Sequence, residues 1–133
     1  MEHHIRPVGT PPVNGYSHAV SFNGPMVAVS GQVPLDADGE LVGRDDAEAQ
    51  TRQVFENLTK VLAAAGTGIE NVVKLTVYLT DLADLAAFRQ VRDEYISLER
   101  PPASSLVKVS GLVHPEFRVE IEALAAARPR VTR

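Results

Sequence analysis

The sequence predicts a single α+β domain in the order β-β-α-β-α-β-β, with both helices on one face of one sheet. Three observations carry this. Residues 45–65 place Thr51, Val54, Phe55, Leu58, Val61, Leu62 and Ala65 at helical spacing, one apolar stripe. Residues 71–80 and 117–124 instead alternate with the period of a strand; in the latter, Phe117, Val119, Ile121 and Ala123 face one way and Arg118, Glu120 and Glu122 the other. The chain has 133 residues, enough for one domain spanning 1–133 that buries about two-thirds of its unfolded surface without disulfides or metal.

Taken in order, residues 1–15 read as an extended N-terminal arm rich in Pro and Gly beyond position 6. Residues 16–22 alternate, with Tyr16, His18, Val20 and Phe22 on one face, and Asn23-Gly24 then signals a type I′ hairpin, because both residues tolerate positive φ. Residues 26–30 form its return strand. Residues 31–43 are a loop in which Asp36, Asp38 and Gly39 make a tight turn. A calcium loop would need its glycine at the sixth position, and here it stands fourth. Asp45 with Glu48 has the form of a capping box, and Gly66 stops the first helix. Residues 71–80 follow as a strand, with Val73, Leu75, Val77 and Leu79 on one face and Val72, Lys74, Thr76 and Tyr78 on the other. Asp81 caps a second helix of about fifteen residues with the stripe Leu82, Leu85, Phe88, Val91 or Arg92, and Tyr95. Arg100-Pro101-Pro102 ends it. The last strands, 104–110 and 117–124, are split by a turn-prone stretch with Gly111 and Pro115, a second hairpin.

Composition narrows the function. The chain lacks cysteine, which removes disulfides, thiolate metal sites and a cysteine nucleophile. The four histidines, His3, His4, His18 and His114, have no ligand spacing, so no metal is expected. A net charge of −4 with no tryptophan argues against a nucleic-acid surface. No apolar run reaches membrane-spanning length, and the N-terminal stretch lacks the apolar core of a signal peptide, so a cytoplasmic location is expected. Glu120 and Glu122, about 7 Å apart by strand rise, fit the solvated face of a half-exposed strand first and a rigidly held general base second. Val72 and Tyr78 leave the sheet's second face partly apolar, which predicts a homo-oligomer.

Five segments carry a resemblance. They are Gly15-Tyr16, Ser30-Gly31-Gln32-Val33-Pro34, Ala64-Ala65-Gly66, the run from Val73 to Leu82, and Pro102-Ala103 through Val119-Glu120-Ile121-Glu122-Ala123. In this order and spacing, over residues 14–126, the chain resembles the RidA family (YjgF/YER057c/UK114), the reactive-intermediate deaminases. The resemblance implies a homotrimer of a chorismate-mutase-like α+β fold, with small-molecule ligands in clefts between subunits. It implies hydrolysis of 2-imino acids, or their enamine tautomers, to 2-keto acids and ammonia, with no metal or cofactor. By resemblance, Tyr16 lines the cleft, Ser30 and Gly31 border it, and Glu120 is the acid that positions or activates water.

Two positions depart from the family pattern. Ser104 stands where an arginine would clamp a substrate carboxylate, and Arg89 stands where the second helix would carry asparagine. A guanidinium fixes a carboxylate by charge and by two parallel hydrogen bonds; a serine offers one hydroxyl. Either Arg89 or another arginine restores the clamp from a new direction, or the cleft takes a different ligand; a solvated Arg89 is the third alternative. Arg92, one turn on, either lines the cleft or braces Glu94, and Glu120 paired with Lys108 would be a weaker base. The resemblance and these departures fit an imine or enamine hydrolase, a non-catalytic metabolite-binding or regulatory module on the same trimer, and, against the acidic balance, a ribonuclease.

Overall fold

The structure is a computed structural model that describes residues 1–127. Its centre is a four-stranded sheet built from β3 (Met26–Gln32), β4 (Val72–Leu79), β5 (Ala103–Lys108) and β6 (Val119–Ala126), in the spatial order β3-β6-β4-β5. Helices α1 (Ala47–Ala64) and α2 (Leu85–Tyr95) cover one face. β6 runs antiparallel to both β3 and β4, and β5 runs parallel to β4. The last strand is thus inserted between the first and second strands of the sheet, a split β-α-β arrangement. A separate ribbon pairs β1 (Glu2–His4) with β2 (Ala19–Ser21).

Local chemistry explains each element. Asp46 is the N-cap of α1, its carboxylate accepting from the Ala49 N–H, whereas the neighbouring Asp45 is in a left-handed turn at φ 56°. The cap therefore sits one residue beyond the expected Asp45, and no capping box forms. Gly66, at φ 79°, closes the helix: its N–H reaches the Ala63 carbonyl and the Thr67 N–H the Leu62 carbonyl, a Schellman pair. Asp81 caps a 3₁₀ turn at Leu82–Asp84 that leads into α2. That helix ends at Tyr95, earlier than Pro101 required, because Ile96 turns extended. Asp36 organises the 36–40 turn by accepting the Asp38 and Glu40 N–H groups on Oδ1.

The core lies between the helices and one sheet face. Val54, Phe55, Leu58 and Leu62 of α1 and Phe88 and Val91 of α2 meet Leu75, Val77 and Leu79 of β4, Ile121 and Ala123 of β6, and Val29 of β3. Phe55 stacks on Tyr95 with ring centroids 5.0 Å apart and planes 11° from parallel. Val61, expected in the α1 stripe, is exposed instead. Among the described residues, no helix is long and apolar enough to cross a membrane.

Both expected hairpins are replaced by long-range pairings. β2 pairs with β1, inside the stretch read as an extended arm, and β3 pairs with β6. The cause at the first turn is Pro25. A two-residue Asn23-Gly24 loop would make Phe22 and Pro25 a hydrogen-bonded pair, and proline has no N–H to donate. At the second, β5 takes the far edge of β4 and β6 the near one, so 109–118 crosses over rather than turning back.

Candidate functional site

Strand alternation sorts the side chains into a helix-covered face and an open face. The open face carries Met26, Ala28 and Ser30 of β3, Glu120, Glu122 and Leu124 of β6, Lys74, Thr76 and Tyr78 of β4, and Ser105 and Val107 of β5. Leu124 and Met26, 37% and 50% exposed, keep this face partly apolar.

At its β3 edge the face is broken by a bulge. Val29 pairs with Ala123 and Gln32 with Ile121, so Ser30 and Gly31 together stand opposite Glu122. The bulge brings the Gly31 backbone against the neighbouring acid: a β-carbon built on Gly31 would come within 2.4 Å of Glu120 Oε2. Only a residue without a side chain leaves the carboxylate this seat. Glu120 is half-buried and forms no ion pair among the described residues. Burial first, and the negative charge of Glu122 second, raise its pKa above the ordinary carboxylate value. Lys108 does not neutralise it, because β5 lies beyond β4 from β6 and Lys108 is opposite Leu79.

Tyr78 is directly across from Glu120 in the strand register, and its hydroxyl donates to Glu122 Oε1 at 2.6 Å. That bond, with burial and the charges of Glu122 and Glu120, raises the tyrosine pKa. Lys74 donates from Nζ to Ser105 Oγ at 2.7 Å. The Tyr78–Glu122 contact was not anticipated from sequence, although both residues stand on the open faces that alternation assigns to their strands. Among the described residues no cluster of three or more His, Asp or Glu side chains could hold a metal ion.

The remaining sequence-predicted residues lie elsewhere. Ser104 pairs in register with Leu75 and shares a face with Leu106, so it points to the helix side of edge strand β5. Glu120 is on the opposite face two strands away, about 10 Å by strand spacing alone. Tyr16 is not on a strand. It sits in a bend whose next residue, Ser17, bridges to Ala103, with the Ser17 N–H donating to Pro102 O at 2.9 Å and its hydroxyl to Pro101 O at 2.6 Å. The Tyr16 ring meets His18 edge-on at 5.8 Å. Arg89 is exposed on α2. A single chain therefore brings together Ser30, Gly31 and Glu120, but not Ser104, Tyr16 or Arg89 with them.

Arg92 does not brace Glu94. It is 8% exposed and donates from Nη2 to Asn14 Oδ1 at 2.9 Å, from Nη1 to Asn14 O at 3.2 Å and from Nε to Asp93 Oδ1 at 3.0 Å. Gly15, at φ 69°, lies so close over the guanidinium that a β-carbon there would be 2.3 Å from Nη2. Arg92 thus fastens the segment that delivers Tyr16, and Glu94 pairs with Arg52 instead. His18 and His114 serve turns: His18 Nε2 donates to Pro11 O, and His114 Nδ1 accepts from the Glu116 N–H.

A split β-α-β sheet with two helices on one face and a half-buried acid seated on a glycine bulge defines a small α+β protein with its polar chemistry on the open sheet face. The chain belongs to the Rid family, also called YjgF/YER057c/UK114: the family model described as Endoribonuclease L-PSP matches residues 8–127. It is 42% identical to a RutC family protein of Pyrococcus horikoshii over 115 residues, 86% of this chain and 88% of that one. It is 41% identical over 122 residues to the 3-aminoacrylate deaminase RutC of Acinetobacter baylyi, covering 91% and 94% of the two chains. Among solved structures, a conserved Rid family protein of Yersinia pestis superposes with a TM-score of 0.83 at 40% identity, covering 91% of this chain and 95% of that one.

Proposed function

We propose that this protein hydrolyses small imines or enamines to carbonyl compounds and ammonia, in clefts between the subunits of a homotrimer. The observation that carries the reading is the Glu120 carboxyl: rigidly mounted on β6, seated on Gly31, half-buried, without a cationic partner among the described residues, and inclined by its surroundings to hold a proton. The similarity to a relative named 3-aminoacrylate deaminase supports the same class of chemistry.

Such a carboxyl can act twice in one turnover. As an acid it protonates the β-carbon of an enamine, giving an iminium ion and leaving a carboxylate. The carboxylate then takes a proton from water as the water oxygen bonds to the iminium carbon. The resulting carbinolamine is protonated on nitrogen, the C–N bond breaks, ammonia leaves, and the hydroxyl proton is released as the carbonyl forms. Water is consumed and no electron is exchanged with a co-reactant. Ser30, at the bulge beside Gly31, borders the place where this water would sit.

The trimer completes the site. Ser104, Tyr16 and Arg89 are separated from Glu120 within one protomer, so a cleft that uses all of them draws on two subunits. In it Ser104 supplies a hydroxyl in place of a guanidinium, and Arg89 is the exposed cation available to meet a carboxylate. Ammonia release from imines and enamines generated in situ from several amino acids tests the reading. Acceleration over buffer that disappears in Glu120→Ala is expected; no acceleration with any of them refutes it. The Ser104 departure also favours a second reading, metabolite binding without turnover, which predicts a ligand that raises Tm and is recovered unchanged.

A further inference from the structure

Glu122 has no part in the scheme above, yet it is the more firmly held of the two acids. Its Oε1 accepts from the Tyr78 hydroxyl at 2.6 Å, and the Ser30-Gly31 bulge is opposite it in the strand register. Glu120, two residues earlier on the same face, has Tyr78 directly across on β4 and Gly31 beneath its carboxylate. Among the described residues, the titratable groups on this face around Glu120 are few: Glu122 on its own strand and Tyr78 and Lys74 on β4, with none on β3, while Arg118, two residues before Glu120, turns its guanidinium to Asp84. The Lys74 ammonium donates to Ser105 on the far side, toward β5.

We infer that Glu122, anchored by the Tyr78 hydroxyl, is a positioning residue that holds a negative charge at a fixed place beside Glu120 and so keeps the Glu120 carboxyl available as a proton donor. The inference rests on the acid role proposed for Glu120 and assigns the residues that set it. A negative charge beside a half-buried carboxyl disfavours that carboxyl's ionised form, and the Tyr78 hydroxyl fixes where the Glu122 carboxylate sits beside Glu120. The surroundings of Glu120 agree, since the Glu122 charge is the second cause of its raised pKa, after burial. The demand is chemical. Carbon protonation of an enamine needs an acid, whereas attack of water on an iminium ion needs only a base, so the pair matters most for substrates that arrive as enamines.

The test is a ¹³C-carboxyl NMR titration of Glu120 in the full-length protein, which needs no turnover, paired with the pH profile of ammonia release from an enamine generated in situ. Glu122→Gln keeps the shape and removes the charge. The Glu120 titration midpoint is expected to move to lower pH, and the high-pH limb of the rate profile, where the acid form is lost, to move down with it. An unchanged midpoint overturns the inference. Should Glu122→Gln fail to fold, Tyr78→Phe frees the Glu122 carboxylate while keeping its charge. A smaller downward shift is then expected, and no shift again overturns it. A merely structural Glu122 would lower Tm without moving the midpoint. Activity that survives Glu120→Ala refutes the acid role of Glu120 itself, whatever Glu122→Gln does to the titration.

Discussion

The carboxylate of Glu120 occupies the space that a side chain on Gly31 would fill, with Oε2 within 2.4 Å of the missing β-carbon. The contact is to the far end of a flexible side chain, and Gly31 does not have a positive φ, so alanine is compatible with the backbone. Gly31→Ala is therefore expected to displace the carboxylate rather than unfold the protein. Ammonia release should fall on the order of a hundredfold, the usual penalty for misplacing a catalytic group by about 1 Å, while Tm changes little.

Glu120 also makes stability depend on pH. Its folded pKa lies above its ordinary value, so its contribution to stability is full below the unfolded pKa and is lost as pH rises through the folded pKa. Replacing it by an uncharged isostere removes that loss. Glu120→Gln should raise Tm at pH 7–8 by a few degrees at most, given that about 1 kcal/mol moves Tm by about 4 °C in a domain of this size, and should leave it unchanged near pH 3. A differential-scanning series across pH reads the difference.

Arg92 and Asn14 hold the N-terminal segment to α2. Arg92→Ala removes the donors to the Asn14 carbonyl and side chain. The expected cost is about 2–3 kcal/mol, the penalty for leaving part-buried acceptors unpaired. Because the lost contacts are local, limited proteolysis should cut between residues 6 and 18 before the core opens. Gly15→Ala should behave alike, since it meets both the positive φ and the guanidinium.

The open sheet face predicts assembly. Light scattering should give three times the 14.4 kDa chain mass. Leu124→Lys, which puts a charge on the exposed apolar part of that face, should shift the population to monomer. Activity should fall with it, since Ser104 and Glu120 share no face in one protomer.

Periodicity made the helices and the β4 and β6 strands legible, because burial enforces it: the Phe55, Phe88, Leu75 and Ile121 stripes are the core. Pairing was not legible in the same way. Asn23-Gly24 carries a local signal that Pro25 annuls, and nothing near β6 in sequence indicates that it enters between β3 and β4. At the site, the family motifs put Tyr16, Ser30, Gly31 and Glu120 in one cleft; the bulge brings Ser30, Gly31 and Glu120 together, while the Tyr16 segment lies against the start of β5. Tyr78 beside Glu122 and Arg92 on Asn14 depend on contacts 44 and 78 residues apart, which no spacing rule reports.

The position of β6 sets the order in which this molecule comes into being. As the chain leaves the ribosome, β3, β4 and β5 emerge with the seam between β3 and β4 still vacant, and only Val119–Ala126, made after all three, can fill it. The closing contacts are among the most distant in sequence, a topology that folds slowly and leaves strand edges bare in the meantime. The same late strand carries Glu120, so the acid reaches Gly31 in the step that seals the sheet. A nascent chain that has not yet reached β6 has no sheet centre and no acid, and chemistry at this site begins only once that strand has been made.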